Sequence, residues 1–252
     1  MPRKARKLST TGIYHTMLRG INKQLIFEDA TDYDYFLEIL RECKELCSFK
    51  IYAYCLMGNH VHLLLQVQEN NLEEIFKRIS GRYVYYFNLK YQRVGHLFQD
   101  RFKSEPVEDD SYLITVLRYI HQNPVKAKLW KRVEEYRYSS MGEYFSNSGL
   151  VDAEFIFSIL PQDDFLTFNN TPNSDVCLEV LSSPRQGVTD AQAQTIIQKV
   201  SHCQTMTEFQ GLDEKKKARC MKKIHEKGVS IRQISRLTGI SKGVVERLLK
   251  AK

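Results

Sequence analysis

The run Ile13 to Leu18 follows a polar arm and reads as a short strand. From Tyr33 to Cys47 the apolar positions Tyr33, Phe36, Leu37, Leu40, Cys43 and Cys47 recur at helical spacing. Phe49 to Leu56 and Val61 to Val67 are rich in β-branched and aromatic residues, with Met57-Gly58-Asn59 between them, so they should pair as a hairpin. Leu72 to Tyr91 is helical again, with Leu72, Ile75, Phe76 and Ile79 on one face, and Phe98 to Val107 suits a further strand. Tyr112 to Asn123 predicts a helix that stops before Pro124, because proline disfavours helix in the residue before it. The order strand, helix, hairpin, helix, strand, helix gives an antiparallel sheet with helices packed on it, an α+β domain over residues 10–145 behind an arm at 1–9.

Residues 146–188 lack sustained periodicity and contain Asn169-Asn170-Thr171-Pro172-Asn173 and Ser182-Ser183-Pro184, so they read as an acidic linker with local helix. Helical pattern returns over 189–252. Asp213 is a fitting N-cap for Glu214 to Lys227, and Gly228 terminates that helix. Ser230-Ile-Arg-Gln233 matches a capping box and opens a short helix to Leu237; Thr238-Gly239-Ile240 makes a turn, and Ser241 caps Lys242 to Lys250. Residues 231–250 therefore have the shape of a helix-turn-helix, with Ile234, Leu237, Ile240, Val245 and Leu248 as a shared core. The second helix turns Lys242, Glu246, Arg247 and Lys250 outward and could enter a major groove. A plain two-helix packing element with surface lysines fits the same pattern.

Among 252 residues, 42% are hydrophobic and 27% charged, which describes a globular chain and not a disordered or fibrous one. The sequence has no apolar run near the ~18 residues that span a bilayer. The basic N-terminus has no apolar stretch behind it, unlike a signal peptide. Six cysteines without C-x-x-C or paired spacing suit a reduced, cytoplasmic protein. The net charge of +7 is uneven: four bases in the first eight residues, seven acids and one base over 145–195, and thirteen bases against four acids over 213–252. A basic arm and a basic tail around an acidic middle imply a polyanion met at two places, and hence nucleoid association.

Candidate chemistry lies in the hairpin and the last helix of the α+β domain. In His60-Val61-His62 the two imidazoles share one strand face, about 6–7 Å apart by the rise per residue, and could share a divalent metal. A bare H-x-H is more often a pair of surface or hydrogen-bonded histidines, and Cys55 on the neighbouring strand has no helper motif. Tyr119 and Asn123, four residues apart, project from one helix face, although a core tyrosine and a C-capping asparagine would look the same.

Taken together, Tyr14-His-Thr-Met-Leu-Arg-Gly20, Gly58-Asn-His-Val-His-Leu-Leu-Leu65, Phe98-Gln-Asp-Arg-Phe-Lys103 and Arg118-Tyr-Ile-His-Gln-Asn-Pro-Val125 resemble the single-tyrosine HUH transposases, above all the branch called REP-associated tyrosine transposases. The resemblance covers roughly residues 10–145, and four motifs in order are specific where any one is weak. It implies a ferredoxin-like (RRM-like) catalytic domain that cuts and rejoins single-stranded DNA next to small hairpins or repeats. Residue by residue, it implies His60 and His62 as metal ligands, Tyr119 as nucleophile and Asn123 as third ligand, with His121 and Gln122 unassigned. The implied cofactor is Mg2+ or Mn2+; a site with two imidazoles should accept manganese at least as well as magnesium. The resemblance carries no C-terminal helix-turn-helix, which rests on the local pattern alone.

An unperturbed tyrosine ionises near pH 10, so a nearby cation would favour its phenolate. A 5′-phosphotyrosine bond keeps the phosphodiester energy, so another strand's 3′-OH can attack it and rejoin DNA without ATP. Arg78, Arg82, Arg93, Arg101 and Lys103, interleaved with Tyr83, Tyr85, Tyr86 and Phe102, could hold the single strand. Arg232, Lys242, Arg247 and Lys250 could grip flanking duplex DNA. The sequence leaves monomer and homodimer open. Two rivals remain: a non-catalytic DNA-binding regulator acting through the C-terminal helices, and a zinc-dependent hydrolase, for which no acid/base carboxylate or closed ligand set is evident.

Overall fold

A computed structural model describes residues 6–68, 71–146, 149–175, 177–178, 188 and 190–250. The basic residues Arg3 and Lys4, and Ser182-Ser183-Pro184, lie outside the described residues.

The chain runs β1 (Ile13–Arg19), α1 (Ala30–Cys47), β2 (Lys50–Met57), β3 (His60–Gln66), α2 (Leu72–Lys90), β4 (Lys103–Pro106) and α3 (Asp110–Lys126). The strands form one sheet in the order β2-β3-β1-β4, with every neighbouring pair antiparallel. This is the ferredoxin-like topology that the family resemblance implies. The alternation of side chains along each strand divides the molecule into layers. Tyr14, Leu18, Tyr54, Leu56, Val61, Leu63 and Leu65 enter one core with Phe36, Leu40, Ile75, Phe76 and Ile79 from α1 and α2. Ile13, Ala53, Cys55, Met57 and Leu64 enter a second core with Leu113, Val116, Leu117 and Ile120 of α3.

Three boundaries differ from the pattern-based expectation. Helix α1 begins at Ala30, because Asp29 accepts from the Asp32 backbone N–H in a capping box that extends the helix beyond its apolar stripe. The strand expected over 98–107 shrinks to Lys103–Pro106; Phe98 makes only an isolated bridge to Gly20. Helix α3 continues through Pro124 to Lys126. Pro124 has no N–H for the Ile120 carbonyl, and the Asn123 side chain stands in, donating to the carbonyls of Tyr119 at 2.9 Å and Ile120 at 3.4 Å.

Residues 153–170, read as part of a linker, pack onto the α3 layer. Helices α4 (Ala153–Ile159) and α5 (Gln162–Asn170) bury Ile156 and Phe165 there, and Phe165 stacks on Tyr144 with ring centroids 4.2 Å apart. Helices this short bury one or two positions each, too few to register as a periodicity.

The remaining helices, α6 (Asp190–Ser201), α7 (Met206–Gly211), α8 (Glu214–Glu226), α9 (Ile231–Thr238) and α10 (Lys242–Lys250), enclose a third core that includes Ile197, Phe209, Ile224, Ile234, Val245 and Leu248. Asp213 caps α8 and the Ser230/Gln233 capping box opens α9, as the sequence predicts. Between α9 and α10, Gly239 has φ +70°, and a Cβ there would lie 2.6 Å from Gln24 Oε1. This region docks on the loop after β1: Glu28 accepts from the Met206 N–H at 2.9 Å and from the Thr207 hydroxyl at 3.3 Å. Burial in that contact pushes the Glu28 carboxyl up to about 7, against the pull of those bonds. The six cysteines are free, and no helix among the described residues is long and apolar enough to cross a membrane.

Candidate active site

Cross-strand register places the histidines. His60 lies opposite Arg19 of β1 and Met57 of β2; His62 lies opposite Met17 and Cys55; one row further, His15 lies opposite Leu64 and Glu105 of β4. Directly paired residues project to the same face, so His60, His62, His15, Arg19, Glu105 and Lys103, which pairs with Met17, all stand on the α3 side of the sheet. The His60 and His62 ring centroids are 5.1 Å apart and nearly perpendicular. Tyr119 comes down from α3 with its ring centroid 5.8 Å from His62 and 5.8 Å from His15, and is 5% exposed. Asn123, one turn later, is half-buried beside His60.

His62 is held at one nitrogen and open at the other, whereas His60 is held at Nδ1 and also meets the Asn123 side chain. His60 Nδ1 lies 2.7 Å from Asn59 Oδ1, and His62 Nδ1 lies 2.9 Å from His15 Nε2. His62 Nε2 is buried with no hydrogen-bond partner, as are His15 Nδ1 and Arg19 Nε. An orphaned imidazole nitrogen is costly unless something fills the place it addresses.

Burial lowers His60 to about 3, the positive charge of Arg19 acts in the same direction, and the Asn123 side chain opposes both. Burial also drives His62 far below its ordinary range, with His60, His15 and Arg19 adding to the effect. These imidazoles are therefore neutral near pH 7 and keep their lone pairs. The Asn123 amide nitrogen is engaged with the Tyr119 and Ile120 carbonyls, which leaves its oxygen for the site. Two imidazole nitrogens and an amide oxygen suit a divalent cation with open positions. Among the described residues, no group of three or more His, Cys, Asp or Glu could hold a metal, so a closed zinc set is not built here. Cys55 shares the His62 row, but burial raises its thiol far above the ordinary range and keeps it protonated.

The expected DNA contacts divide by location. Lys103 is exposed on the edge strand in the His62 row, with Arg101 just before it, 3.5 Å from Glu73. Arg78 and Arg82 lie on α2, behind the opposite face of the sheet, and pair with Glu74 and Glu42. Tyr83 and Phe102 are buried, and only Tyr85 is strongly exposed at 73%. Arg6 of the basic arm stacks on Phe102 at 3.6 Å. Arg232, Lys242, Arg247 and Lys250 are exposed on α9 and α10, where Gly243, Glu246, Arg247 and Lys250 line an open groove. His121 and Gln122 are structural: His121 bonds Asn169 and Ser140, and Gln122 donates to the Asn169 and Thr171 carbonyls.

Neither His15 nor Arg19 has a role assigned by the sequence pattern. The available signal was parity: His15, Met17 and Arg19 alternate along β1, but nothing in the chain order says that their face is the one bearing His60 and His62.

The family model for IS200-like transposases matches residues 9–123, a span that contains His60, His62, Tyr119 and Asn123. A Haemophilus influenzae protein described as a REP-associated tyrosine transposase is 33% identical over 122 residues, covering 42% of this chain and 69% of the relative. The solved structure of a REP-associated tyrosine transposase bound to a REP hairpin overlays with a TM-score of 0.51 at 18% identity, over 60% of this chain and 88% of that one; at that identity the likeness is one of fold.

Proposed function

The chain belongs to the IS200-like transposase family and is related to the REP-associated tyrosine transposases, and from that premise we propose that it nicks and rejoins single-stranded DNA through Tyr119. The observation that carries this reading is the convergence of Tyr119 from α3 and His60 and His62 from the β2–β3 hairpin on one face of the sheet, with the Tyr119 ring 5.8 Å from that of His62. The Tyr119 phenol loses its proton to water and its oxygen attacks phosphorus; the bond to the 3′ oxygen breaks, and that oxygen takes up a proton. The products are a 5′-phosphotyrosine linkage and a free 3′-OH, and attack by another 3′-OH reverses the step and releases Tyr119.

His60, His62 and Asn123 would hold a divalent cation, magnesium or manganese, which would polarise the phosphate and stabilise the leaving oxygen. The ligand set is neutral, so it leaves the cation's charge for the phosphate. Arg19, in the His60 row with its Nε buried and without a hydrogen-bond partner, would take a phosphate oxygen. Lys103 extends that positive charge along the sheet edge. The related transposase in the solved structure is bound to a hairpin; here the substrate class is single-stranded DNA flanked by hairpins or repeats. The exposed bases of α9 and α10, acting as a helix-turn-helix, grip the flanking structured segment.

A covalent-trapping assay tests the reading. Full-length protein is mixed with oligonucleotides from the DNA flanking its own gene, with manganese or magnesium, and resolved on a denaturing gel. A retarded protein–DNA band is expected that needs metal and is lost in Tyr119→Phe. Tight binding in native gels with no covalent band would transfer the function to a non-catalytic regulator.

A further inference from the structure

The hairpin histidines rest on a second layer of side chains. His15, fully buried on β1, places Nε2 2.9 Å from His62 Nδ1, and its own Nδ1 faces Glu105 Oε2 at 3.9 Å. Glu105 is the direct cross-strand partner of His15, and its carboxylate is held by the Tyr112 hydroxyl and by the Leu178 N–H at 3.1 Å.

A neutral imidazole carries one N–H, so the row allows two arrangements of protons. In the first, His62 is protonated at Nδ1 and donates to His15 Nε2; His15 carries its own proton at Nδ1, pointing to the carboxylate, and His62 Nε2 presents a lone pair. In the second, His15 Nε2–H donates to His62 Nδ1. His62 Nε2 is then protonated and useless as a ligand, while a His15 lone pair confronts the negative Glu105. A carboxylate only accepts, so Glu105 favours the first arrangement.

We infer that His15, aligned by Glu105, is a positioning residue that fixes His62 in the metal-competent tautomer and ring orientation. This rests on the reading of His60 and His62 as metal ligands. The row follows the logic by which metal-bound histidines are oriented from their far nitrogen, here with an imidazole interposed before the carboxylate.

Mn2+ binding to the full chain without DNA, measured by calorimetry, tests it apart from activity. His62→Ala reports on the underlying reading: if the unaltered protein does not bind Mn2+, or His62→Ala binds equally well, that reading fails. Given binding that needs His62, His15→Phe removes the acceptor and is expected to weaken affinity roughly 10–100-fold. His15→Gln, whose amide oxygen can accept from His62, should restore most of the loss. Affinity unchanged in a folded His15→Phe protein, or a His15→Gln protein as weak as it, overturns the inference. Nitrogen-15 spectra of the histidine rings in metal-free protein give a readout that does not depend on any His15 variant. They should show His62 protonated at Nδ1, and Glu105→Gln should shift it toward Nε2. An Nε2–H tautomer in the unaltered protein would also overturn the inference.

Discussion

His121 ties α3 to α5 and to Ser140, and its charge state sets a measurable acid sensitivity. The ring is fully buried, 2.8 Å from Asn169 Oδ1 at Nδ1 and 2.8 Å from Ser140 Oγ at Nε2. Burial lowers it from 6.5 to about 4, with the Asn169 bond in opposition. Between those values the unfolded chain binds a proton that the folded chain refuses, so stability falls as pH drops below 6.5 and levels off below about 4. At pH 5 the unfolded ring is almost fully charged and the folded one is charged in about a tenth of molecules; at 1.36 kcal/mol per pH unit, this one group destabilises the fold by about 2 kcal/mol relative to pH 7. His121→Gln removes the titration and keeps an amide donor and acceptor for the same neighbours. Urea unfolding of both proteins at pH 7 and pH 5 is the assay. His15 and His60, each lowered to about 3, titrate alike in the two proteins and cancel in the difference. The unaltered chain should lose about 2 kcal/mol more than His121→Gln between the two pH values. Equal losses would refute the view that His121 is held neutral by burial.

Three further outcomes follow from the same geometry. Tyr119→Phe should abolish the covalent adduct and leave hairpin affinity near that of the unaltered chain, as seen by native gel; a persistent adduct would assign the nucleophile elsewhere. Phe165→Ala removes the ring stacked on Tyr144 in a fully buried position and should cost about 3–5 kcal/mol in denaturant unfolding, whereas a loss below about 1 kcal/mol would mean that α5 adds little to the core. Replacing Lys242, Arg247 and Lys250 together by alanine should lower the slope of log affinity against log salt by about 3, one per phosphate contact, and an unchanged slope would remove α10 from the DNA interface.

The local elements were legible in the chain because each has a local cause. Alternation and β-branched residues mark the hairpin, 3.6-residue spacing marks α2, and Asp213 and Ser230 cap the helices they precede. Local geometry says only that His60 and His62 share a strand face and Tyr119 and Asn123 a helix face; their roles as ligands and nucleophile are what the family resemblance implies. Local pattern could not reveal that an Asn123 side chain would carry α3 through Pro124, or that seven- and nine-residue helices would bury Ile156 and Phe165. Only tertiary structure brings the two faces together, because the meeting of β3 with α3 depends on α3 crossing the sheet on the side opposite α1 and α2. The same holds for His15 and Glu105. Residues 15, 62 and 105 are far apart in the chain, and the register in which β1 pairs with β3 and β4 is what sets them in line.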